Sequence, residues 1–154
     1  EMCIRDRLRH FLALEATACK KSPCLVLEDD AIVKDQILLQ ELVRYFNKSY
    51  KHRLFYDLAD QYIPIVTEKH KLYDVGNLRF CCRQVAVTRT LMAYSISPDL
   101  ARLMLDSLDY YSLPIDMQLQ VLLARLSIPG VSLINSPFTH GSKTNKVISA
   151  VNQR

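Results

Sequence analysis

Residues 24–33, CLVLEDDAIV, carry the pattern on which our interpretation of the fold rests. The first four residues of this stretch are apolar, and the next three are the carboxylates Glu28, Asp29 and Asp30. A short continuous apolar run that ends abruptly is typical of a buried strand. The sequence therefore predicts a buried strand over residues 24–27 that leads directly into an acidic loop.

The segments on both sides of this strand have the periodicity of helices. Residues 8–20 place apolar side chains, among them Leu8 and Leu12, at helical spacing, and a proline follows shortly afterwards. Residues 35–50 show the same spacing, and Asp35 stands where an N-cap is expected. We therefore expect a helix before the strand and another after it.

Strands and helices continue to alternate along the rest of the chain. A strand is expected near Asp57, residues 62–83 are interpreted as loop-rich, and residues 89–97 as extended. Four further features follow in order: the cap residue Ser97, a helix from Pro98, a helix over residues 114–126 and a strand over residues 131–134. This alternation predicts an α/β fold with a mixed sheet flanked by helices.

Composition narrows the class of protein. The chain has 154 residues, 49% of them hydrophobic and 23% charged, which is typical of one globular domain. Its net charge of +4 comes from scattered residues rather than from a basic run, so no nucleic-acid partner is expected. No stretch approaches the roughly 18 consecutive apolar residues of a membrane span, so no transmembrane segment is expected either.

The five cysteines support neither a zinc site nor a disulfide framework. None lies in a C-x-x-C pair, and their number is odd. Reduced thiols fit a reducing compartment. We therefore expect a cytoplasmic protein, with peripheral contact to the inner membrane as the alternative.

Three consecutive carboxylates need a physical explanation, because neighbouring like charges disfavour each other's ionisation. A bound cation is one explanation, and a solvated acidic turn is the other. If extended geometry continues into the loop, Glu28 and Asp30 project to one side and Asp29 to the other. Carboxylate oxygens suit Mn²⁺ or Mg²⁺, and ligands of open α/β sheets bind beyond the carboxyl ends of strands.

Three blocks of the sequence resemble one known family. CLVLEDDAIV resembles the strand and EDD motif of glycosyltransferase family 25, the lipooligosaccharide galactosyltransferase type that is related to collagen glycosyltransferases. Farther along, AYSISPDLARLML from Ala93 resembles the family's AYxISxxGAxxLL segment. Residues 113–116, LPID, match its proline-x-aspartate.

A fourth block is similar but departs from the family pattern. Residues 9–15 resemble the family's SHLxxWE helix, in which His10 and Glu15 match. Arg9 replaces the serine and Leu14 replaces the tryptophan. The four blocks occur in the family's order, so the resemblance extends over nearly the whole chain.

The resemblance implies a fold and an activity. The fold is the Rossmann-like glycosyltransferase A type, which binds a nucleotide sugar. The activity is the inverting transfer of a hexose, galactose by resemblance, from a donor such as a UDP-hexose. The acceptor is a saccharide or a lipid-linked saccharide, in lipopolysaccharide or glycoprotein glycan synthesis.

The resemblance also implies a metal site. Residues 137–146, PFTHGSKTNK, are similar to the HGxxxTK stretch of the collagen-modifying relatives. His140 is then a third ligand beside Glu28 and Asp30, for Mn²⁺ or Mg²⁺, and an imidazole is acceptable in such a set. Lys143 would meet the donor diphosphate. The alternative for His140 is a loop histidine that is satisfied by backbone groups.

The remaining site residues are also assigned by resemblance. Asp116 corresponds to a general base that takes the proton of the acceptor hydroxyl, although it could equally cap a helix. Asp29, Asp57 and Tyr94 are assigned to substrate binding. Structural roles are the alternative for Asp57 and Tyr94, because buried tyrosine rings commonly fill cores.

The resemblance suggests domain limits as well. It covers a partial glycosyltransferase domain over residues 8–154, and we expect residues 1–7 to be a non-native or disordered extension. The family's first strand has no counterpart, so we expect the first strand or strands of the fold to be missing. Two other functions stay open: a non-catalytic interaction module with the same fold, and a metal-dependent nucleotidyl or phosphoryl transferase.

Overall fold

The protein is an α/β structure with a mixed six-stranded sheet flanked by helices, as the sequence predicts. The computed structural model describes residues 2–59, 70–88, 90–108 and 113–141, with side chains from residue 5 onward. A separate two-stranded sheet lies beside the large one. No helix within the described ranges is long and apolar enough to cross a bilayer.

Four helices and eight strands make up the described part of the chain. In chain order they are α1 (Met2–Ala18), β1 (Cys24–Leu27), β2 (Ala31–Val33), α2 (Gln36–Ser49), β3 (Phe55–Asp57), β4 (Lys71–Val75), β5 (Leu78–Arg83), β6 (Ala93–Ile96), α3 (Pro98–Asp106), α4 (Ile115–Arg125), β7 (Gly130–Leu133) and β8 (Phe138–His140).

The strand order of the large sheet sets the position of the acidic loop. The order is β1-β6-β3-β7-β5-β4, in which only β3 and β7 pair in parallel. Both β1 and β3 are antiparallel to β6, so β1, β3 and β7 all run in the same direction. The carboxyl ends of these three strands therefore lie along one edge of the sheet, and Glu28 follows the first of them.

The prediction that residues 24–27 form a buried strand is right about the strand and wrong about its burial. Within the described residues, β1 is an edge strand of the sheet and pairs only with β6. Leu25 and Leu27 are exposed. A continuous apolar run is typical of a strand buried on both faces, but here alternate residues of the run face solvent.

The hydrophobic core has one part on each face of the sheet. Successive residues of β3 point to opposite faces, so Phe55 joins one cluster and Tyr56 the other. The first cluster packs against α1, α3 and α4, and includes Leu14 and Met104. The second packs against α2 and includes Leu42. Helices thus cover both faces of the sheet.

Two helices begin at the predicted caps. The Asp35 carboxylate accepts hydrogen bonds from the backbone N–H groups of Ile37 and Leu38, each at 2.9 Å. The Ser97 hydroxyl accepts one from the Leu100 N–H at 3.1 Å, and Pro98 occupies the first turn. These contacts satisfy N–H groups that have no partner inside the helix, which explains why both starts were predictable.

Helix α1 differs from its prediction in both its start and its buried face. It begins at Met2 rather than at residue 8. Leu8 and Leu12 are 56% and 53% exposed, whereas His10, Leu14 and Thr17 are buried. The apolar stripe was misleading because two of the three buried side chains are polar and have hydrogen-bond partners.

The described part of the region interpreted as loop-rich contains a β-hairpin. Strands β4 and β5 pair from Lys71 opposite Cys82 to Val75 opposite Leu78, around a two-residue turn in which Gly76 has φ +60°. That left-handed conformation favours glycine. The Glu41 carboxylate of α2 accepts hydrogen bonds from the backbone and side-chain amides of Asn77, and so ties the turn to the helix.

One carboxyl group lies inside this fold. Asp57 is only 6% exposed, and its Oδ1 accepts a hydrogen bond from the Ala59 N–H at 3.1 Å. Burial raises the pKa of Asp57 to about 7, against smaller lowering effects of that hydrogen bond and of Arg83. Ionised Asp57 therefore opposes folding, because the charged form is better solvated in the unfolded chain.

Replacement of Asp57 by asparagine should remove this pH dependence. Since the folded-state pKa lies above the ordinary value, Asp57 favours unfolding increasingly as the pH rises from about 4 to about 7, and by a constant amount above that. The Asp57→Asn variant keeps the Oδ1 acceptor. The free energy of unfolding of the variant minus that of the wild type should increase by about 3 kcal/mol at most between about pH 5 and pH 8.

Urea unfolding of both proteins at several pH values measures the difference. A difference that does not change across this range would show that Asp57 has an ordinary pKa in the fold.

Candidate metal centre

The acidic loop is a tight turn between β1 and β2. The Glu28 N–H donates to the Met92 carbonyl at 2.9 Å, which continues the pairing of β1 with β6 by one residue. The Ala31 N–H then donates to the Glu28 carbonyl at 3.1 Å, so the chain reverses within three residues. This turn presents the carboxylates beyond the end of β1.

Pairing of β2 with β8 brings His140 to this turn. The two strands are antiparallel, and Ala31 lies opposite His140. The Gly141 N–H donates to the Asp30 carbonyl at 2.8 Å and extends the pairing beyond the strands. His140 therefore lies on a strand and not in the loop that the sequence suggested.

The side chains of Glu28, Asp30 and His140 converge. One possible ligand atom from each lies within 4.8 Å of the other two, and the His140 Nε2 is 2.9 Å from the Asp30 Oδ2. All three side chains are partly buried. Two ligand atoms at about 2.2 Å from a shared ion lie about 3 to 4.4 Å apart. Small side-chain rotations are therefore enough to place all three ligand atoms around one ion.

Asp30 has properties that suit a metal ligand. Burial is the main cause that raises its pKa, and the neighbouring charges of Glu28 and Asp29 raise it further, whereas His140 lowers it. Its Oδ1 is buried and has no hydrogen-bond partner among the described residues. A carboxylate oxygen in that state is costly to bury unless a cation or donor satisfies it. The three residues can therefore hold a divalent cation.

Asp29 faces away from this cluster. It forms an ion pair with Arg9 of α1, in which the Arg9 Nη1 and the Asp29 Oδ2 are 2.9 Å apart, and both side chains are largely exposed. Glu28 and Asp30 thus share one side and Asp29 takes the other, as predicted. The cause differs from the predicted one, because a turn rather than a continued strand sets these directions.

A buried histidine, His10, contacts the Glu28 carboxylate. The His10 Nε2 is 3.2 Å from the Glu28 Oε1, and its Nδ1 is 3.2 Å from the Tyr94 hydroxyl. His10 is 4% exposed and Tyr94 is 1% exposed. Tyr94, which the resemblance assigned to substrate, is therefore placed in the core, where its hydroxyl contacts a residue next to the cluster.

Asp116 lies in the first turn of α4, in a groove of about 650 Å³. Four of the lining side chains are apolar and three are polar. The apolar ones are Val87, Leu113, Met117 and Val121, and the polar ones are Thr88, Asp116 and Gln120. The cap residue of α4 is Pro114, so the alternative in which Asp116 caps the helix is wrong.

Helix α1 contacts both the edge of this groove and the acidic turn. The Arg7 guanidinium donates a hydrogen bond to the carbonyl of Leu113, which lines the groove. His10, one helical turn farther along, contacts Glu28. Residues three apart lie on the same helix face, so the same part of α1 contacts both the groove edge and the acidic turn.

One further assigned residue, Asp57, is not part of the cluster. Asp57 is buried at the end of β3, where it bonds to the backbone rather than facing solvent. Lys143 lies outside the described residues.

Sequence reasoning gave no role to His10 or Arg9, although both contact the acidic turn. For His10 a signal was present, because His10, Leu14 and Thr17 recur at helical spacing and are all buried. A stripe that mixes polar with apolar residues is easily overlooked beside the apolar stripe of Leu8 and Leu12. No signal in the sequence pairs Arg9 with Asp29.

Comparison with known proteins adds no family assignment: no family model matches the chain, and no curated protein matches it.

Proposed function

We propose that this protein is a metal-dependent glycosyltransferase of the glycosyltransferase A type, which transfers a hexose from a nucleotide sugar to a saccharide hydroxyl. The observation that carries the proposal is the convergence of Glu28, Asp30 and His140 beyond the carboxyl end of β1. The α/β architecture supports it, since ligands of such sheets bind at that edge.

The donor side of the proposal rests on the three clustered residues. Two carboxylates and one imidazole are a suitable ligand set for Mn²⁺, with Mg²⁺ as the alternative. A cation held by these residues would supply positive charge that stabilises the leaving nucleotide. A UDP-hexose is the donor that we would test first, with UDP-galactose before the others.

The acceptor side rests on Asp116 and its groove. The partly apolar lining, with Leu113 and Met117, suits the apolar face of a sugar ring or the lipid end of a lipid-linked acceptor. The Asp116 carboxylate takes the proton from the acceptor hydroxyl while the oxygen of that hydroxyl forms a bond to the anomeric carbon of the donor sugar. The bond from that carbon to the diphosphate oxygen breaks in the same step, which inverts the configuration.

Cation binding tests the donor side directly. The Asp30→Asn variant should bind Mn²⁺ about tenfold more weakly or worse than the wild type, because it loses a charged ligand. The Asp29→Asn variant is the matched control, since it removes an equal charge at the next position from a side chain that pairs with Arg9. Its Mn²⁺ affinity should stay within about threefold of the wild type, because exposed charges are screened.

Electron paramagnetic resonance of free Mn²⁺ during titration measures both affinities. Equal losses in the two variants would mean that the acidic turn attracts cations only through its net charge. In that case the three-residue site is wrong.

Transfer itself is tested by release of UDP from UDP-hexoses in the presence of Mn²⁺ and saccharide acceptors. The Asp116→Asn variant should lower the turnover number by about 10² to 10⁴, the usual contribution of a general base, with little change in Mn²⁺ affinity.

Three results would count against the proposal in different ways. Unchanged turnover in Asp116→Asn would remove Asp116 from the reaction. Mn²⁺ binding without UDP release from any donor would favour a non-catalytic module. Release of pyrophosphate from a nucleoside triphosphate instead would favour a nucleotidyl transferase.

A further inference from the structure

His10 connects the hydrophobic core to the candidate metal centre. Its ring lies between the Tyr94 hydroxyl and the Glu28 carboxylate, with 3.2 Å to each. We propose that His10 is the positioning residue of the metal centre: its Nε2–H holds the Glu28 carboxylate in place, and Tyr94 holds the ring in the tautomer that can do so. The proposal rests on the metal site of the proposed function.

The hydrogen-bonding groups select one tautomer. An ionised carboxylate can only accept, so the ring nitrogen that faces Glu28 must carry the proton. Burial raises the pKa of the Tyr94 hydroxyl well above its ordinary value, so that hydroxyl keeps its proton. With the single proton of the neutral ring on Nε2, the Nδ1 of His10 is an acceptor and the Tyr94 hydroxyl donates to it. In the opposite tautomer, the Nε2 lone pair would face the lone pairs of Glu28.

Packing fixes both donors of this hydrogen-bond chain. The Tyr94 ring stacks on Phe55, with centroids 5.5 Å apart and planes at 17°. It also contacts the His10 ring, with centroids 5.8 Å apart. Since His10 and Tyr94 are almost fully buried, neither ring can turn without disturbing the core.

Glu28 itself is held less firmly than these two residues. Its side chain is partly exposed and has three rotatable bonds, so it would sample many orientations if it had no partner. The bond to His10 restricts it to the side that Asp30 and His140 share. Partners that orient a ligand in this way typically affect metal affinity by about 10- to 100-fold.

Mn²⁺ affinity of His10 variants tests the positioning role. The His10→Leu variant should weaken Mn²⁺ binding by about tenfold, because it removes the donor to Glu28. The His10→Gln variant should stay within about threefold of the wild type, because its amide N–H can reach the same carboxylate. In a Glu28→Gln background, His10→Leu should cause little further loss, since the group that it orients is no longer a charged ligand.

Thr17→Val is the matched control for damage to the helix. Thr17 is buried on the same face of α1, and its hydroxyl bonds to the Ala13 carbonyl rather than to Glu28. A loss of affinity in Thr17→Val as large as that in His10→Leu would overturn the proposal. So would a loss of the same size for His10→Leu in the Glu28→Gln background.

The tautomer is measured without any metal. Long-range ¹H–¹⁵N spectra distinguish a protonated Nε2 from a protonated Nδ1, and the His10→Gln variant identifies the His10 signals among the four histidines of the chain. We expect a proton on Nε2 alone in the wild type. A proton on Nδ1 alone, or on both nitrogens, would overturn the hydrogen-bond chain.

These two measurements separate the failure of this inference from the failure of the proposed function. If the wild type binds no Mn²⁺ while His10 carries its proton on Nε2, the metal site fails and Glu28 is held for another purpose. If Mn²⁺ binds but His10→Leu leaves its affinity unchanged, the metal site survives and the positioning role is wrong.

Discussion

The short antiparallel pairing of β2 with β8 is the interaction on which the candidate site depends. It places His140 opposite Ala31 and next to Asp30, although these residues lie near opposite ends of the described chain. Only three residues of each strand pair, and further bonds from Gly141 at one end and from Lys34 and Asp35 at the other extend the pairing. Without this pairing the acidic turn would be a group of like charges at the end of an edge strand, with no reason to bind a cation tightly.

The electrostatics of the turn explain why its three carboxylates behave differently. Asp29 is exposed and paired with Arg9, so its charge costs little. Asp30 is partly buried beside two other carboxylates, and burial is the main cause that raises its pKa. Its position is tolerable because His140 lies 2.9 Å away and a cation would satisfy the buried oxygen. The same three adjacent residues thus divide into one solvated charge and a pair suited to coordination.

Helix α1 links this site to the rest of the protein. Its buried face contributes Leu14 to the core and His10 to the Glu28 carboxylate, and Arg7 binds the Leu113 carbonyl at the edge of the α4 groove. A helix whose inner face carries polar groups loses some hydrophobic stabilisation, but each of these groups has a partner. In the proposed function this helix contacts both the donor side and the acceptor side, and His10 orients Glu28 on the donor side.

The sequence by itself determined the features that depend on neighbours in the chain. The caps Asp35 and Ser97 bind amides two or three residues away, and the apolar run of β1 ends at the acidic turn, so local pattern was sufficient. The α/β class followed from the alternation of such elements. The convergence of Glu28, Asp30 and His140 was expected only from a family resemblance, and no spacing in the sequence implies it.

Tertiary structure alone decided which strands pair and which helix face is buried. Among the described strands, β1 lies at the edge of the sheet because it pairs with β6 alone, and the sequence of β1 does not identify that neighbour. His10 is buried because Tyr94 and Glu28 satisfy both of its ring nitrogens, which offsets the cost of removing a polar ring from water. Burial of a polar side chain depends on partners that are distant in the sequence, and therefore only the folded chain reveals it.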